Sequence, residues 1–135
     1  MNNIIYRSSH WIVVFLVVVS FVGCSGKPTS AYIPRSSSAK EALQRSLDAW
    51  KSGKPHGTLT DRSPAIDVFD ARWQAGRKLE SFTIGNEIVG QEHPMFKVTL
   101  KVEGENETED TSFHIVGIDP LHVFRNADFL KATGQ

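Results

Sequence analysis

Apolar side chains around residue 45 recur with the spacing of one helix face. Leu43, Leu47 and Trp50 stand at positions i, i+4 and i+7, and charged or amide side chains occupy most of the positions between them. Ser38 and Glu41, just before this stripe, have the spacing of a capping box. The pattern predicts an amphipathic helix that starts at Ser38 and needs a second layer to cover its apolar face.

The rest of the chain has the pattern of short strands. Stretches rich in β-branched and aromatic residues cover residues 66–69, 79–84, 95–103, 110–116 and 121–125. The third stretch alternates strictly, with one apolar side: Phe96, Val98, Leu100 and Val102. Asp70 is placed to cap a single helical turn over residues 71–75. We therefore predict an α+β fold, in which the N-terminal helix packs on a curved antiparallel sheet of four to five strands.

Residues 1–23 have the order of a secretory signal peptide. A polar start with Arg7 as its one formal charge precedes an apolar run over residues 11–22, and Gly23 follows. This run has about 12 residues, whereas a helix that crosses a bilayer core needs ~20. We therefore expect cleavage of this segment rather than a transmembrane anchor.

The tetrapeptide Phe21-Val22-Gly23-Cys24 resembles the lipobox of bacterial lipoprotein precursors, although Leu is commoner at its first position. The resemblance implies cleavage between Gly23 and Cys24, acylation of Cys24, and attachment of the protein to a membrane of the bacterial cell envelope. The next residue, Ser25, favours the outer membrane. Cys24 is the only cysteine, so it has no disulfide partner in the chain. The alternative is an ordinary signal peptide that has a cysteine near its cleavage point by chance.

A spacer follows the cysteine. Residues 24–37 contain five Ser/Thr and two Pro, a composition typical of a flexible tether. Its bulky apolar residues are Tyr32 and Ile33, and the alternative is that these two dock on the domain. We predict that the domain spans residues 38–125 and that residues 126–135 form a C-terminal tail.

The predicted element order is a helix, a strand with a turn, and a three-stranded meander. This order resembles the cystatin-like or NTF2-like roll. The segments ALQRSLDAWKSGKP, VFDARWQAGRKLESFTI and VGIDPLHVFR also look like those of small bacterial lipoproteins that have no assigned activity. That likeness implies no catalytic residues.

The charge and the motifs of the sequence exclude several classes of function. The chain has 15 Lys+Arg and 15 Asp+Glu, which excludes the basic surface of a general nucleic-acid binder. Phosphate loops, nucleophile elbows, zinc-protease motifs and paired cysteines are absent from the sequence. We expect no cofactor, and a non-enzymatic module that binds or assembles with another envelope protein. The alternatives are a small-ligand pocket protein or isomerase-like enzyme of the NTF2-like kind, and a purely structural envelope component.

Two histidines lie on consecutive predicted strands. If Gly117 pairs with Leu121, then His114, His122 and Phe124 share the face opposite the core. The two imidazoles are then diagonal neighbours, too far apart for a two-histidine metal site, so no metal is expected. This face is a candidate interface with a partner or a second copy, and the alternative is that these are ordinary strand residues. The other histidines of the domain are expected in exposed turns: His56 and His93.

Two charged stretches remain. Arg72, Arg77 and Lys78 surround Trp73, a pattern that can contact anions, sugars or a partner by charge and stacking. The alternative is that Trp73 fills the helix–sheet seam and the basic side chains are solvated. Residues 103–110 hold five carboxylates, and their spacing lacks the order of a calcium loop. We predict a solvated hairpin connection there.

Overall fold

A computed structural model describes residues 29–135. Its helices are α1 (Ser36–Lys51), α2 (Ala71–Gln74) and α3 (Asn126–Thr133). Its strands are β1 (Thr58–Leu59), β2 (Ile66–Phe69), β3 (Leu79–Glu87), β4 (Met95–Val102), β5 (Glu109–Val116) and β6 (Leu121–Arg125). A 3₁₀ turn, Thr29–Tyr32, precedes α1. The predicted signal peptide, Gly23 and Cys24 lie outside the described residues, and their assignment stays a prediction.

The six strands form one sheet in the order β1-β2-β6-β5-β4-β3. Neighbouring strands are antiparallel except for β2 and β6, which run parallel with Ile66 beside Leu121 and Phe69 beside Phe124. The α+β class with a helix on the sheet is confirmed, but the expected antiparallel sheet of four to five strands is wrong. The extra strand, β1, has only two residues, and the meander from β3 to β6 brings its last strand back beside β2.

Helix α1 packs on one face of the sheet, against β2, β3, β5 and β6. Its predicted apolar stripe is buried, and alternate residues of the strands meet it, so that burial of this apolar surface stabilises the two layers. The central strands contribute these core residues: Phe96, Val98, Leu100, Val102, Phe113, Ile115, Leu121 and Val123. The alternation predicted for β4 is therefore confirmed.

The start of α1 differs from the capping-box prediction. The helix begins at Ser36, and Arg35 at the N-cap makes no side-chain capping bond. The Ser36 hydroxyl instead donates to the carboxylate of Glu87 at the end of β3. Ser38 and Glu41 lie inside the first turns and are exposed. This contact ties the first turn of α1 to the end of β3 but does not cap the backbone N–H groups of that turn.

The β5–β6 connection fixes the register that the sequence predicted. Ile115 lies opposite Val123 and Val116 lies opposite His122, which places the core residues of both strands on the α1 face. Gly117 has φ +83°, and a Cβ added there would lie 2.7 Å from the carbonyl oxygen of Pro120. The turn therefore requires glycine.

The last residues of the predicted tether dock on the domain. The backbone N–H of Gly117 donates to the carbonyl oxygen of Tyr32 at 2.8 Å, and Pro34 is buried. Residues 29–35 are thus held at the end of the sheet where β3 and β5 end and β4 and β6 begin. We call this the tether end. The opposite end, which carries α2 and the loop 103–108, is the distal end.

The segment predicted as a C-terminal tail, residues 126–135, contains α3. This helix packs on β5 and β6, on the face of the sheet opposite to α1. It is eight residues long, and its large apolar side chains are Phe129 and Leu130. The pattern is too short to predict from periodicity, and the packing of Phe129 accounts for the position of the helix.

Candidate functional site

The face of the sheet opposite to α1, here called the second face, carries two rows of side chains that cross the strands. One row runs from Thr58 through Asp67 to His122, each beside the next on adjacent strands. The Thr58 hydroxyl donates to one oxygen of Asp67 at 2.6 Å, and Nδ1 of His122 lies 3.5 Å from the other. The row thus forms a continuous polar strip.

The second row is aromatic. Phe69 and Phe124 are neighbours on the parallel strands, and their rings stack with centroids 4.3 Å apart and planes 10° apart. The His122 ring lies 5.9 Å from the Phe69 ring. Phe69 is 39 % exposed, whereas Phe124 is half-buried. An aromatic surface therefore remains open to solvent at this place.

His114 continues this row but is buried, so its prediction as an accessible interface residue is wrong. The ring of Phe129 from α3 covers it, with centroids 4.1 Å apart and planes 10° apart. Nε2 of His114 lies 2.9 Å from Oδ1 of Asn126, and Nδ1 lies 2.8 Å from Nε2 of His93. Since an amide oxygen only accepts, neutral His114 donates through Nε2 and accepts from His93.

His93 is half-buried and not in an exposed turn as expected. Burial lowers the pKa of His93 below its ordinary value, the nearby His114 lowers it further, and Glu92 acts in the opposite direction. The Nε2–Nδ1 contact joins the turn that carries His93 to strand β5. The pair therefore fixes α3 and the turn before β4 on the second face.

A cleft of about 500 Å³ opens beside the stacked phenylalanines, between β1–β2, α2 and α3. We call it the β2–α3 cleft. It is lined by His56, Gly57, Thr58, Asp67, Val68, Phe69, Asp70, Ala71, Gln74, Phe124, Asp128 and Ala132. This lining contains three aspartates and no Lys or Arg. The walls of the cleft thus combine aromatic rings with carboxylates.

Asp70 is buried between the cleft and the core. Its Oδ1 accepts hydrogen bonds from the backbone N–H groups of Arg72 and Trp73, which confirms the predicted cap of α2. Its Oδ2 is buried without a partner in the described part of the chain. Burial raises the pKa of the Asp70 carboxyl above its ordinary value, although the two N–H groups and Arg125 oppose the rise.

His56 is also half-buried, against the expectation of an exposed turn. Its ring stands edge-on to Trp73 with centroids 5.6 Å apart. Nε2 of His56 accepts, at 3.5 Å, from the backbone N–H of Asp70. The histidine therefore closes one side of the β2–α3 cleft.

Of the two interpretations of the basic cluster, the structure bears out the one in which Trp73 fills the helix–sheet seam, and it contradicts the one in which Trp73 lies on an open contact surface. Trp73 is buried, stacks on Trp50 with centroids 5.8 Å apart, and donates through Nε1 to the carbonyl oxygen of Lys54 at 2.9 Å. Arg72 and Arg77 each lie 3.2 Å from Glu105. Lys78 is exposed. The ring is thus unavailable for stacking with a ligand, and the two guanidinium groups already have carboxylate partners.

Those carboxylates come from the acidic stretch predicted as a solvated connection. Glu103 and Glu107 are exposed, but Glu105 and Glu109 are half-buried. Glu109 pairs with both Arg72 and Arg125, so that opposite charges from three segments meet at the distal end. The stretch therefore contributes to the fold, which its composition does not reveal.

Sequence reasoning found His122 and Phe124 but missed the residues that complete the site. Phe69 and Asp67 occupy alternate positions of the short strand IDVF, and this alternation was the available signal. Asp128 and Phe129 lie in α3, where no signal was available.

Across residues 29–135, no helix is long and apolar enough to cross a membrane. The same residues contain no cluster of three or more His, Cys, Asp or Glu side chains arranged to hold a metal ion. In comparisons with known proteins, no protein family, no curated protein and no solved structure matches this chain.

Proposed function

We propose that this protein is a lipid-anchored component of the bacterial cell envelope and that its domain is a non-enzymatic binding or assembly module. The observation that supports this most strongly is that the packed core and the exposed aromatic and acidic groups lie on opposite faces of the sheet. The seam between α1 and the sheet is filled by apolar side chains, while aromatic and acidic groups line an open cleft on the second face. The element order remains the sole argument for kinship with the cystatin-like or NTF2-like roll.

The filled seam argues against the alternative of a ligand pocket between helix and sheet. None of the five side chains expected to fill this space is more than 3 % exposed: Leu43, Leu47, Trp50, Phe96 and Leu100. A pocket of the NTF2-like kind needs an open cone with converging polar groups at this place. The packing therefore favours a partner that binds to the surface.

The β2–α3 cleft is the surface we assign to the partner. Its exposed Phe69 and half-buried Phe124 offer apolar contact, and Asp67 and Asp128 add negative charge with no Lys or Arg in the lining. Such walls fit a protein segment with cationic side chains and some apolar surface, because cations bind both carboxylates and aromatic faces.

Replacement of Phe69 tests this surface. We expect the change Phe69→Ser to weaken capture of the partner from envelope extract by about 30-fold, the effect of losing an aromatic hot spot of ~2 kcal/mol. The measurement is quantitative pull-down with the full mature chain at several bait concentrations. Leu130→Ser, at an apolar position that is 36 % exposed and lies outside the cleft lining, is the matched control and should bind like the wild type. Equal recovery by the Phe69 variant, or no recovery by the wild type, contradicts the assignment.

The anchor is tested at Cys24. We expect Cys24→Ala to release the protein from the membrane fraction, because each buried acyl CH₂ contributes ~0.8 kcal/mol and the variant has no acyl chain. Fractionation and mass measurement of the mature N-terminus provide the readout, with Ser25→Ala as the control that keeps the cysteine. A wild-type protein with a free thiol in the soluble fraction refutes the proposed anchor.

A further inference from the structure

Large apolar side chains are exposed at few places in the described domain, and most of them lie at the tether end. Tyr32 is 53 % exposed, Val89 89 % and Ile118 48 %. Val89 lies in the β3–β4 connection and Ile118 in the β5–β6 connection, and both connections are at the tether end of the sheet. Tyr32 is held beside the β5–β6 connection by the bond between its carbonyl oxygen and the backbone N–H of Gly117.

The two ends of the sheet also differ in charge. The tether-end connections, residues 60–65, 88–94 and 117–120, contain four formal charges: Asp61, Arg62, Glu92 and Asp119. At the distal end, the loop 103–108 alone contains three glutamates, and Arg72 and Arg77 lie against it. Charged groups are costly to bring against a bilayer, whereas tyrosine and aliphatic side chains favour its interface. The tether end is therefore the end suited to face lipid.

Chain length places this end close to the anchor. Five residue steps separate Cys24 from Thr29, the first described residue, and even a fully extended chain spans at most ~3.6 Å per step, or about 18 Å. The chain is attached to the tether end at Tyr32. A membrane that holds the sulfur of Cys24 therefore lies within reach of Val89 and Ile118.

We propose that the tether end docks on the bilayer that holds the anchor, with Tyr32, Val89 and Ile118 entering the headgroup region. This inference rests on the proposed acylation of Cys24. In the docked orientation the distal end points away from the membrane, and the β2–α3 cleft on the side of the sheet stays open to a partner.

The single cysteine makes a direct test available. Acylation blocks the thiol of Cys24, so a cysteine introduced at Val89 or Ile118 is the only group that reacts with a nitroxide label. The lipidated full mature chain is placed in vesicles of phosphatidylethanolamine and phosphatidylglycerol. The distal variant Asn106→Cys is the matched control, since Asn106 is exposed in the loop 103–108. The experiment measures how often the nitroxide label collides with dissolved oxygen, which concentrates in lipid, and with a nickel complex, which stays in water.

We expect labels at Val89→Cys and Ile118→Cys to favour oxygen over nickel, with the ratio about ten-fold above that at Asn106→Cys, because a docked side chain lies ~5–10 Å below the headgroup surface. Equal ratios at all three positions overturn the docking. Spin–spin broadening at Val89 and Ile118 without oxygen preference also overturns it, because a second copy then covers this end. A mass that shows two labels or no acyl chain identifies failure of the proposed anchor instead.

Discussion

Replacing Trp50 with alanine is expected to lower the free energy of unfolding by about 3–5 kcal/mol, as for other large buried aromatic residues. Trp50 is buried in the helix–sheet seam, stacks on Trp73, and donates through Nε1 to the carbonyl oxygen of Arg77 at 2.7 Å. The change leaves a cavity in the core and removes the donor to the carbonyl oxygen of Arg77. Urea unfolding monitored by circular dichroism measures the loss.

Two further variants separate the causes of this effect. Trp50→Phe keeps an aromatic ring but removes the hydrogen bond to Arg77, and we expect it to cost about 1–2 kcal/mol. Val89→Ala, at a position 89 % exposed, should stay within about 0.5 kcal/mol of the wild type. If Trp50→Ala costs less than ~1 kcal/mol, the seam tolerates a cavity and the ligand-pocket alternative gains support.

The second large effect is expected at Arg125. Its side chain is 11 % exposed and pairs with Glu109, and its charge also acts on Asp70. Arg125→Met removes this cation, so that Glu109 keeps Arg72 as its partner and Asp70 loses a charge that favours its ionised form. We expect a loss of about 2–4 kcal/mol at pH 7, below the upper range for a broken buried pair because Glu109 keeps some contact with water and with Arg72.

The loss of unfolding free energy in Arg125→Met should depend on pH. Burial raises the pKa of Asp70 and the Arg125 charge opposes that rise, so removal of Arg125 raises the pKa further. The folded variant then binds a proton more tightly than the unfolded chain does. Its deficit against the wild type is therefore largest above the folded pKa and shrinks as the pH falls towards the ordinary carboxyl pKa of about 4.

Urea unfolding at pH 7 and pH 5 measures this dependence. Arg77→Met is the control, because the Arg77 side chain is 48 % exposed and its pair with Glu105 should contribute at most about 1 kcal/mol. A deficit for Arg125→Met that stays constant between the two pH values would contradict the contribution of the Asp70 charge.

Local patterns in the sequence predicted the parts of the fold that depend on near neighbours. The stripe at Leu43, Leu47 and Trp50, the alternation in β4 and the Asp70 cap follow from spacing alone, and the four-residue connection from Gly117 sets the β5–β6 register. The pairing of β2 with β6 joins residues about 55 positions apart. No periodicity within either strand encodes that choice of neighbour.

The candidate site shows the same difference between local patterns, which can be predicted, and long-range contacts, which cannot. His122 and Phe124 were placed on the second face because strand alternation is local. The burial of His114 comes from Phe129 and His93, which lie in other segments and carry no signal of that contact. Arg72 and Arg77 meet glutamates about 30 positions away. From sequence alone, charged side chains are predicted to be solvated, because the sequence does not show which distant residues will pair with them.

The parallel pair of β2 and β6 also has a consequence for the order of events during folding. As the chain is synthesised, α1 and β2 emerge long before β6, and all the strands against which α1 packs are C-terminal to it. Contacts between distant parts of a chain form late and slowly. Strand β2 therefore lacks its parallel neighbour until residue 125 has been made, and this delay would suit the proposed export of the chain across a membrane before it folds.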